Sequence, residues 1–243
     1  MCGRFNSLAS GADFAKTYDA TFISEQLAPN FNVAPTTEVY ALVSQGVEQS
    51  HTLALSTFRW GLVPSWAKDK TKSAGMINAR CETLTEKPSF RNLIARHRCV
   101  IPMQGFYEWS VTNSGTTNST KLSKQAHYVS RADGEAMTVA GLWSTWIDPN
   151  QQHVDSRSPS ILKTCTIITT DANESLRPIH HRMPVILEKN AVAQWLDPAD
   201  LSPLGLLVPA ENDVVVHEVT SRLERSRNIH STQLGDDQGG RLF

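Results

Sequence analysis

The first three residues, Met1-Cys2-Gly3, could carry chemistry. A small second residue permits removal of the initiator methionine, which would leave Cys2 with a free α-amine and a thiol on adjacent carbons. The amine titrates near pKa ~7.7–8 and the thiol near ~8.5, so both have a nucleophilic fraction at neutral pH. The amine could act as base for the thiol, as in N-terminal-nucleophile hydrolases, or both groups could add to an aldehyde and close a thiazolidine ring. Otherwise, Cys2 is an incidental residue of a frayed terminus.

Three further segments combine polar side chains with extended or rigid backbone. Glu108 stands among aromatic residues in Gly-Phe-Tyr-Glu-Trp, where burial would raise its pKa and make it a usable general acid or base. Its alternative is an exposed strand residue. Asn78 and Arg80 are two residues apart, so they lie on one side of an extended backbone. Asn32 precedes a rigid turn at Pro35.

Two adjacent histidines, His180 and His181, precede an apolar run. A histidine pair can bind metal, but no carboxylate or cysteine stands at an obvious ligand spacing, so the sequence predicts no metal site. A core-facing or surface histidine is the plainer alternative. The other cysteines, Cys81, Cys99 and Cys165, form no Cys-x-x-Cys pair, which predicts buried free thiols.

The overall charge balance is close to neutral. Among 243 residues there are 23 Lys and Arg against 24 Asp and Glu, a net charge of −1, which excludes a histone-like protein and an acidic disordered tail protein. Residues 59–98 depart from this balance, with nine basic residues against three acidic ones, or +6. Together with Trp60 and Trp66, this stretch suits a groove for single-stranded nucleic acid. A solvated helix face with two core tryptophans explains it equally well.

Short runs of Val, Ile, Thr and aromatic residues, bounded by Gly, Pro, Asn or Ser, predict most of the secondary structure as strands. The predicted strands are residues 39–43, 56–60, 99–102, 105–109, 126–130, 138–146, 164–170, 184–187 and 214–217. The predicted helices are 12–18, 89–96 and 190–196, with a short helical turn within 199–207. Residues 111–124 and 148–160 read as loops.

This pattern predicts an α+β fold, a single compact domain with a mainly antiparallel, β-barrel-like core and a few peripheral helices. We expect the domain to span residues 1–228 and the polar, Gly-rich residues 229–243 to form a flexible tail. No apolar run approaches the ~20 residues that cross a bilayer, and the N-terminus lacks the apolar region of a signal peptide. We therefore expect no membrane partner and no secretion.

The motifs, taken in order, resemble the SRAP family, the abasic-site-processing proteins also labelled SOS-response-associated peptidases. The resemblance extends from residue 1 to about residue 220. It is carried by MCGRF at the start, NVAP at 32–35, RWGLVPSW at 59–66, INARCET at 77–83, IPMQGFYEW at 101–109, GLW at 141–143 and IHHRMPVIL at 179–187.

The resemblance implies a reaction. Cys2, freed of Met1, would attack the ring-opened aldehyde of an abasic site in single-stranded DNA and form a thiazolidine cross-link that shields the lesion. Asn78 would orient the sugar or Cys2, Glu108 would be the acid and base, and His180 would shuttle a proton in ring-opening and reversal. DNA-binding roles are implied for Arg4, Asn32, Pro35, Trp66 and Arg80.

The same resemblance implies no cofactor and no metal, a lyase-like cross-linking activity, and a peptidase activity limited to removal of Met1. The expected partner is single-stranded DNA containing abasic sites, and we expect a monomer. The expected location is the cytoplasm, at the nucleoid of a bacterium, or the nucleus of a eukaryote. One departure lies at residues 219–224, where a Val-Asn pattern is replaced, with Glu224 in place of the Asn.

Two alternatives remain open. A glutamine amidotransferase of the N-terminal-nucleophile type also begins Met-Cys-Gly, but it normally carries a synthetase domain for which we expect no room in 243 residues. A non-covalent single-strand binder would use the basic stretch and leave no covalent product. Formation of an adduct that depends on Cys2 separates both from the cross-linking hypothesis.

Overall fold

The computed structural model describes residues 2–47, 50–113, 122–149, 161–211 and 214–219. These contain thirteen strands, two α-helices and three short 3-10 helices. The strands are β1 Arg4–Ser7, β2 Thr21–Phe22, β3 Asn30–Val33, β4 Glu38–Val47, β5 Ser50–Trp60, β6 Asn78–Arg80, β7 Arg98–Met103, β8 Gly105–Asn113, β9 Leu122–Arg131, β10 Met137–Ile147, β11 Ile161–Asp171, β12 Arg182–Pro184 and β13 Val214–Val219. The helices are α1 Gly11–Thr17 and α2 Lys189–Leu196, and the 3-10 helices are Thr71–Gly75, Cys81–Thr83 and Leu204–Leu206.

Five strands close into a barrel. The antiparallel neighbours run β11-β10-β7-β4-β5, and β5 returns to β11 through a short parallel pairing. A closed ring leaves these strands without a long free edge. β6 and β12 pair with other parts of β11, and β2 pairs with β5. The α+β class, with a mainly antiparallel and barrel-like core, is confirmed.

A second, antiparallel sheet lies against the barrel, in the order β13-β9-β8-β1-β3. Its side chains alternate, so that Phe5 and Phe106 on neighbouring strands are fully buried. The Phe5 ring meets the ring of Trp60 edge-on, with centroids 5.0 Å apart. Because Trp60 ends β5, this contact fixes the start of the chain against the barrel.

Two of the sequence predictions need correction. Residues 89–96 form consecutive turns rather than a helix, since only Arg91 and His97 donate backbone hydrogen bonds four residues back, to Lys87 and Leu93. Such isolated turns cannot gain the cooperative stability of a continuous helix. The strand expected at 184–187 is instead Arg182–Pro184, beyond which Val185 bonds to both β11 and β10 and Leu187 bonds to β10.

The other helix predictions are close to the structure. The strands β1, β3 and β6 are too short to show a pattern and were not predicted. β8 continues to Asn113 and β9 starts at Leu122, so the loop expected at 111–124 is shorter. Most of the loop at 148–160, the departure at 220–224 and the tail at 229–243 lie outside the described residues. None of the helices in the described ranges is long and apolar enough to cross a membrane.

Candidate active site

Cys2 lies just before β1 and is fully buried in a core cluster that includes Phe5 and Val33. Burial raises the pKa of the Cys2 thiol, and the negative charge of Glu108 raises it further. With Met1 still attached, the thiol is therefore held in its protonated form. The prediction of an ordinary thiol pKa concerned Cys2 freed of Met1 and stays a prediction.

Asn78 holds the backbone of Cys2. Its Nδ2 donates a hydrogen bond of 2.8 Å to the Cys2 carbonyl oxygen, across 76 residues of sequence. The neighbouring Ile77 carbonyl accepts hydrogen bonds from the Trp60 indole and from the Ile167 amide, both 3.0 Å, which fixes the start of β6. The Asn78 Oδ1 is buried and accepts no hydrogen bond from the described residues. This atom remains available to a bound group.

Glu108 is only 3% exposed, so the alternative of an exposed strand residue is wrong. It lies on β8 directly opposite His127 of β9, on the same face of the sheet as Phe106. Its charge acts on both Cys2 and His180. The carboxyl group therefore lies near both the thiol and the imidazole, although 72 or more residues separate it from either in sequence.

His180 ends the loop that precedes β12. Its Nδ1 lies 2.9 Å from the Arg182 amide nitrogen, which donates to it, and 3.3 Å from the Arg182 carbonyl oxygen, and the shorter contact favours the neutral ring with its proton on Nε2. Burial lowers the pKa of His180 below its ordinary value, and the charge of Glu108 opposes this shift. The rings of His180 and His181 stack at 4.4 Å, but His181 is exposed. His180 is thus close enough to Glu108 for the carboxylate charge to act on the pKa of the imidazole.

Arg182 anchors this part of the site, and the sequence analysis missed it. Its guanidinium makes two hydrogen bonds to the Glu82 carboxylate, at 2.6 and 2.9 Å, and others to Asp171 and the Thr169 carbonyl. The Arg182 guanidinium lowers the pKa of Glu82 to about 2. Glu82, which follows Asn78 and Arg80 in the chain, is thereby fixed beside β12, which follows His180. No signal in a single sequence pairs groups 100 residues apart.

Ser110 and His127 form a second polar pair that was not predicted. Ser110 Oγ and His127 Nε2 are 2.8 Å apart, and His127 is 7% exposed. Both share the face of Glu108, because Ser110 follows Glu108 by two residues and His127 stands opposite it.

Three predicted DNA-binding residues lie close together at the edge of the second sheet. Arg4 Nη1 donates a hydrogen bond of 3.1 Å to Asn32 Oδ1, which joins β1 to β3. Asn32 is buried and Pro35 is half-buried, just beyond the end of β3. Arg4 is also only partly exposed. The guanidinium of Arg4, two residues after Cys2, is thus oriented by the side-chain amide of Asn32.

Trp66 and Arg80 are both exposed. Trp66, 67% exposed, borders a cavity of about 610 Å³ whose other lining residues include Val63, Pro64, Lys68 and Met76. The cavity lining, as far as the structure describes it, includes none of Cys2, Asn78, Glu108 and His180. Arg80 ends β6, two residues beyond Asn78. Arg80 is connected to Cys2 through β6 and the Asn78 hydrogen bond, whereas Trp66 borders a cavity lined by other residues.

The basic stretch at 59–98 is less basic on the surface than its composition indicates. Arg98 is 3% exposed and donates to four backbone carbonyls, and Trp60 is fully buried. Arg59 donates to Ser73 at 2.7 Å. Counting Arg98 and Trp60 toward a nucleic-acid groove is therefore wrong. Trp66 and exposed residues such as Arg80 remain as candidates.

All four cysteines are free. Cys99 and Cys165 are buried as expected, while Cys81 is partly exposed, contrary to the prediction. Within the described ranges, no three side chains of His, Cys, Asp or Glu are grouped so that they could hold a metal ion. The reactive groups that the structure brings to this site are the Cys2 thiol, the Glu108 carboxyl group and the His180 imidazole.

Known proteins provide an independent comparison. A sequence model of the SRAP family, SOS response associated peptidase, matches residues 1–226. The chain is 36% identical over 242 residues to the abasic site processing protein YoaM of Bacillus subtilis, covering 97% of this chain and 98% of that one. It is 31% identical over 234 residues to the abasic site processing protein HMCES of Xenopus tropicalis, covering 84% and 65%. A crystal structure of a Bacteroides thetaiotaomicron protein, 25% identical, covers 94% of this chain and 97% of that one, with a TM-score of 0.79.

Proposed function

The chain belongs to the SRAP family, and on that premise we propose that it processes abasic sites in single-stranded DNA by forming a covalent cross-link through Cys2. The observation that carries the proposal is the hydrogen bond from Asn78 to the Cys2 carbonyl, beside a buried Glu108 whose charge also reaches His180. The relatives named above are abasic site processing proteins. An abasic site lacks a base edge but carries an aldehyde, which an aminothiol can trap.

The proposed reaction begins after Met1 is removed. The Cys2 amine attacks the aldehyde carbon of the ring-opened sugar, and loss of water gives an imine. The thiol sulfur then bonds to the same carbon while the thiol proton passes to the imine nitrogen, closing a thiazolidine. The raised pKa of the Cys2 thiol favours this order, because a protonated thiol is a weak nucleophile. The reaction consumes no metal or nucleotide.

Glu108 and His180 are proposed to move the protons. A buried carboxyl group near the thiol can give a proton to the departing water as the imine forms. The resulting carboxylate can then take the thiol proton and pass it to the imine nitrogen during ring closure. The neutral His180 carries a proton on Nε2 and can pass it to the sugar oxygen during ring-opening or reversal. Asn78 is proposed to keep the Cys2 backbone in place while the reacting carbon forms two bonds in turn.

The DNA strand is proposed to lie along the exposed side of this pocket. Arg4 and Arg80 would contact phosphates, with Asn32 and Pro35 bordering the groove and Trp66 stacking on a neighbouring base. Covalent trapping requires only modest non-covalent affinity.

We further propose that the protein has lyase-like activity and removes its own Met1. We propose that it acts as a monomer, in the cytoplasm at the nucleoid or in the nucleus.

The adduct is the first test. Protein is incubated with a single-stranded oligonucleotide that carries one abasic site, then denatured and separated by electrophoresis. Wild type should give a denaturant-stable band, and Cys2→Ala should give none. Cys81→Ala removes a different thiol, which is partly exposed, and this variant should behave as wild type.

Two further measurements complete this test. An oligonucleotide whose abasic site has been reduced to the alcohol should give no adduct, since it has no aldehyde. The intact mass should show loss of Met1. Equal adduct from wild type and Cys2→Ala, no adduct from either, or full activity with Met1 retained would each overturn the proposal. Binding without an adduct would indicate a non-covalent binder.

A further inference from the structure

His127 is a buried imidazole to which the proposed reaction assigns no role. It is 7% exposed on β9, and its Nε2 lies 2.8 Å from Ser110 Oγ. Its other ring nitrogen, Nδ1, is buried and has no hydrogen-bond partner among the described residues. Burying a ring nitrogen without a partner costs free energy, so an apolar residue would pack here at lower cost.

The register of the second sheet places this imidazole against the carboxyl group. His127 is the antiparallel partner of Glu108, and directly opposed side chains have their Cβ atoms about 4.5–5.5 Å apart. Tyr107 and Tyr128, one residue earlier on β8 and one later on β9, pair on the opposite face. The three polar residues Glu108, Ser110 and His127 therefore form one patch on the core side of the sheet.

We propose that His127, held by Ser110, is a positioning residue that supports Glu108 in the reaction. The hydrogen bond to Ser110 restrains the ring, and the ring provides a polar neighbour for the Glu108 carboxyl group on the face that also carries Phe106 and Val129. A polar neighbour stabilises the charged form of a buried carboxyl group. The pair thereby favours the carboxylate, which is the form that accepts a proton in the reaction.

Titratable groups approach this patch from several elements. Cys2, before β1, and His180, before β12, both interact with the charge of Glu108. On the far side of β9, the register position opposite His127 is Glu218 of β13. These groups are present equally in wild type and in the variants below, so a change in the pH profile reports His127 and Ser110.

The test rests on the proposed cross-linking and follows the rate of adduct formation against pH. His127→Phe keeps a buried ring but removes both nitrogens. We expect a rate about tenfold lower at neutral pH, since a general base contributes ~10²–10⁴-fold and would here be weakened rather than lost. The acidic limb should move to higher pH by on the order of one unit, because an apolar wall disfavours the carboxylate. His127→Gln should restore part of the rate.

The matched control is Tyr128→Phe. It changes the next residue of the same strand, removes the 2.8 Å hydrogen bond that Tyr128 accepts from Asn6, and leaves the Glu108 face untouched. It should keep the wild-type pH profile. Ser110→Ala, a smaller change, should shift the profile in the same direction as His127→Phe, and it carries the test should His127→Phe fail to fold.

A double variant decides whether His127 acts through Glu108. In a Glu108→Gln background, His127→Phe should cause no further shift of the profile, because the group that it supports has been removed. A wild-type profile in both His127→Phe and Ser110→Ala, or an equal effect with and without Glu108, overturns the inference. Absence of an adduct from wild type would overturn the proposed function itself.

Discussion

Arg98 in the barrel and Glu108 in the second sheet are both charged and both 3% exposed, yet their surroundings differ. The Arg98 guanidinium donates to the backbone carbonyls of Ile94, Ala95, Trp195 and Asp197. It also lies 5.7 Å from the centre of the Trp195 ring. Its hydrogen-bond partners are backbone atoms, which cannot titrate, although the carboxylates of Asp197 and Asp200 also act on its charge. These hydrogen bonds tie α2 and the turns at 89–96 to the start of β7.

Glu108 shares its surroundings with side chains that can gain or lose protons. Cys2, His127 and His180 approach it from three different elements. The hydrogen bonds of Arg98 thus serve the fold, whereas Glu108 lies beside groups with which a carboxyl group can exchange protons. Both charges are equally buried, so burial does not distinguish them, and the chemistry of the neighbouring groups does.

The largest effect is expected at Glu108. Glu108→Gln keeps the shape but removes the acid and base, so the rate of adduct formation should fall by ~10²–10⁴-fold. Thermal stability should not fall, because a neutral amide is less costly to bury than a carboxylate. Single-turnover rates and melting temperatures check this. If the variant melts well below wild type, Glu108 stabilises the fold as Arg98 does, and the difference between the two charges does not hold.

Arg98→Met should produce the opposite pattern. Loss of the guanidinium removes a donor from four carbonyls that are buried or partly buried, so the free energy of unfolding should fall by about 2–3 kcal/mol. The rate of adduct formation per folded molecule and the affinity for undamaged single-stranded DNA should not change. Denaturant titration and a binding titration measure these quantities.

Arg91→Met, at an exposed site, is the control for the loss of one positive charge. It should leave the free energy of unfolding close to that of wild type. If Arg98→Met loses DNA affinity while its stability is retained, Arg98 belongs to the groove after all.

The smallest of these effects is expected at the histidine pair. His180→Gln should slow the reaction about tenfold, while His181→Gln, at the exposed neighbour, should have little effect. Burial lowers the pKa of His180 below 6.5, so the neutral ring persists to lower pH and its contribution is lost only as pH falls through the lowered pKa. The pH–rate profile of His180→Gln should lack that inflection. A larger effect at His181 would reverse the assignment.

Local features were well predicted because they depend on neighbouring residues. The runs of Val, Ile, Thr and aromatic residues identified the long strands of the barrel, and the helix predicted at 12–18 matches α1 to within one residue at each end. The prediction of a helix at 89–96 failed because the helical spacing of Phe90 and Ile94 shows only which side of the segment faces the core. It cannot show whether the backbone between them forms a continuous helix. The short strand β6 was not predicted, because three residues are too few to show a periodic pattern.

The chemistry of Cys2 follows from covalent structure, since an amine and a thiol on adjacent carbons are available wherever the first cysteine is freed. The order of the motifs was likewise legible along the chain. The pairings were not, because Asn78 reaches Cys2, and Arg182 reaches Glu82, only after the strands of the barrel find their register. A slip of one residue would turn Glu108 and His127 to the opposite face. Reactivity was thus encoded locally, whereas burial, protonation and partners depend on long-range strand pairing.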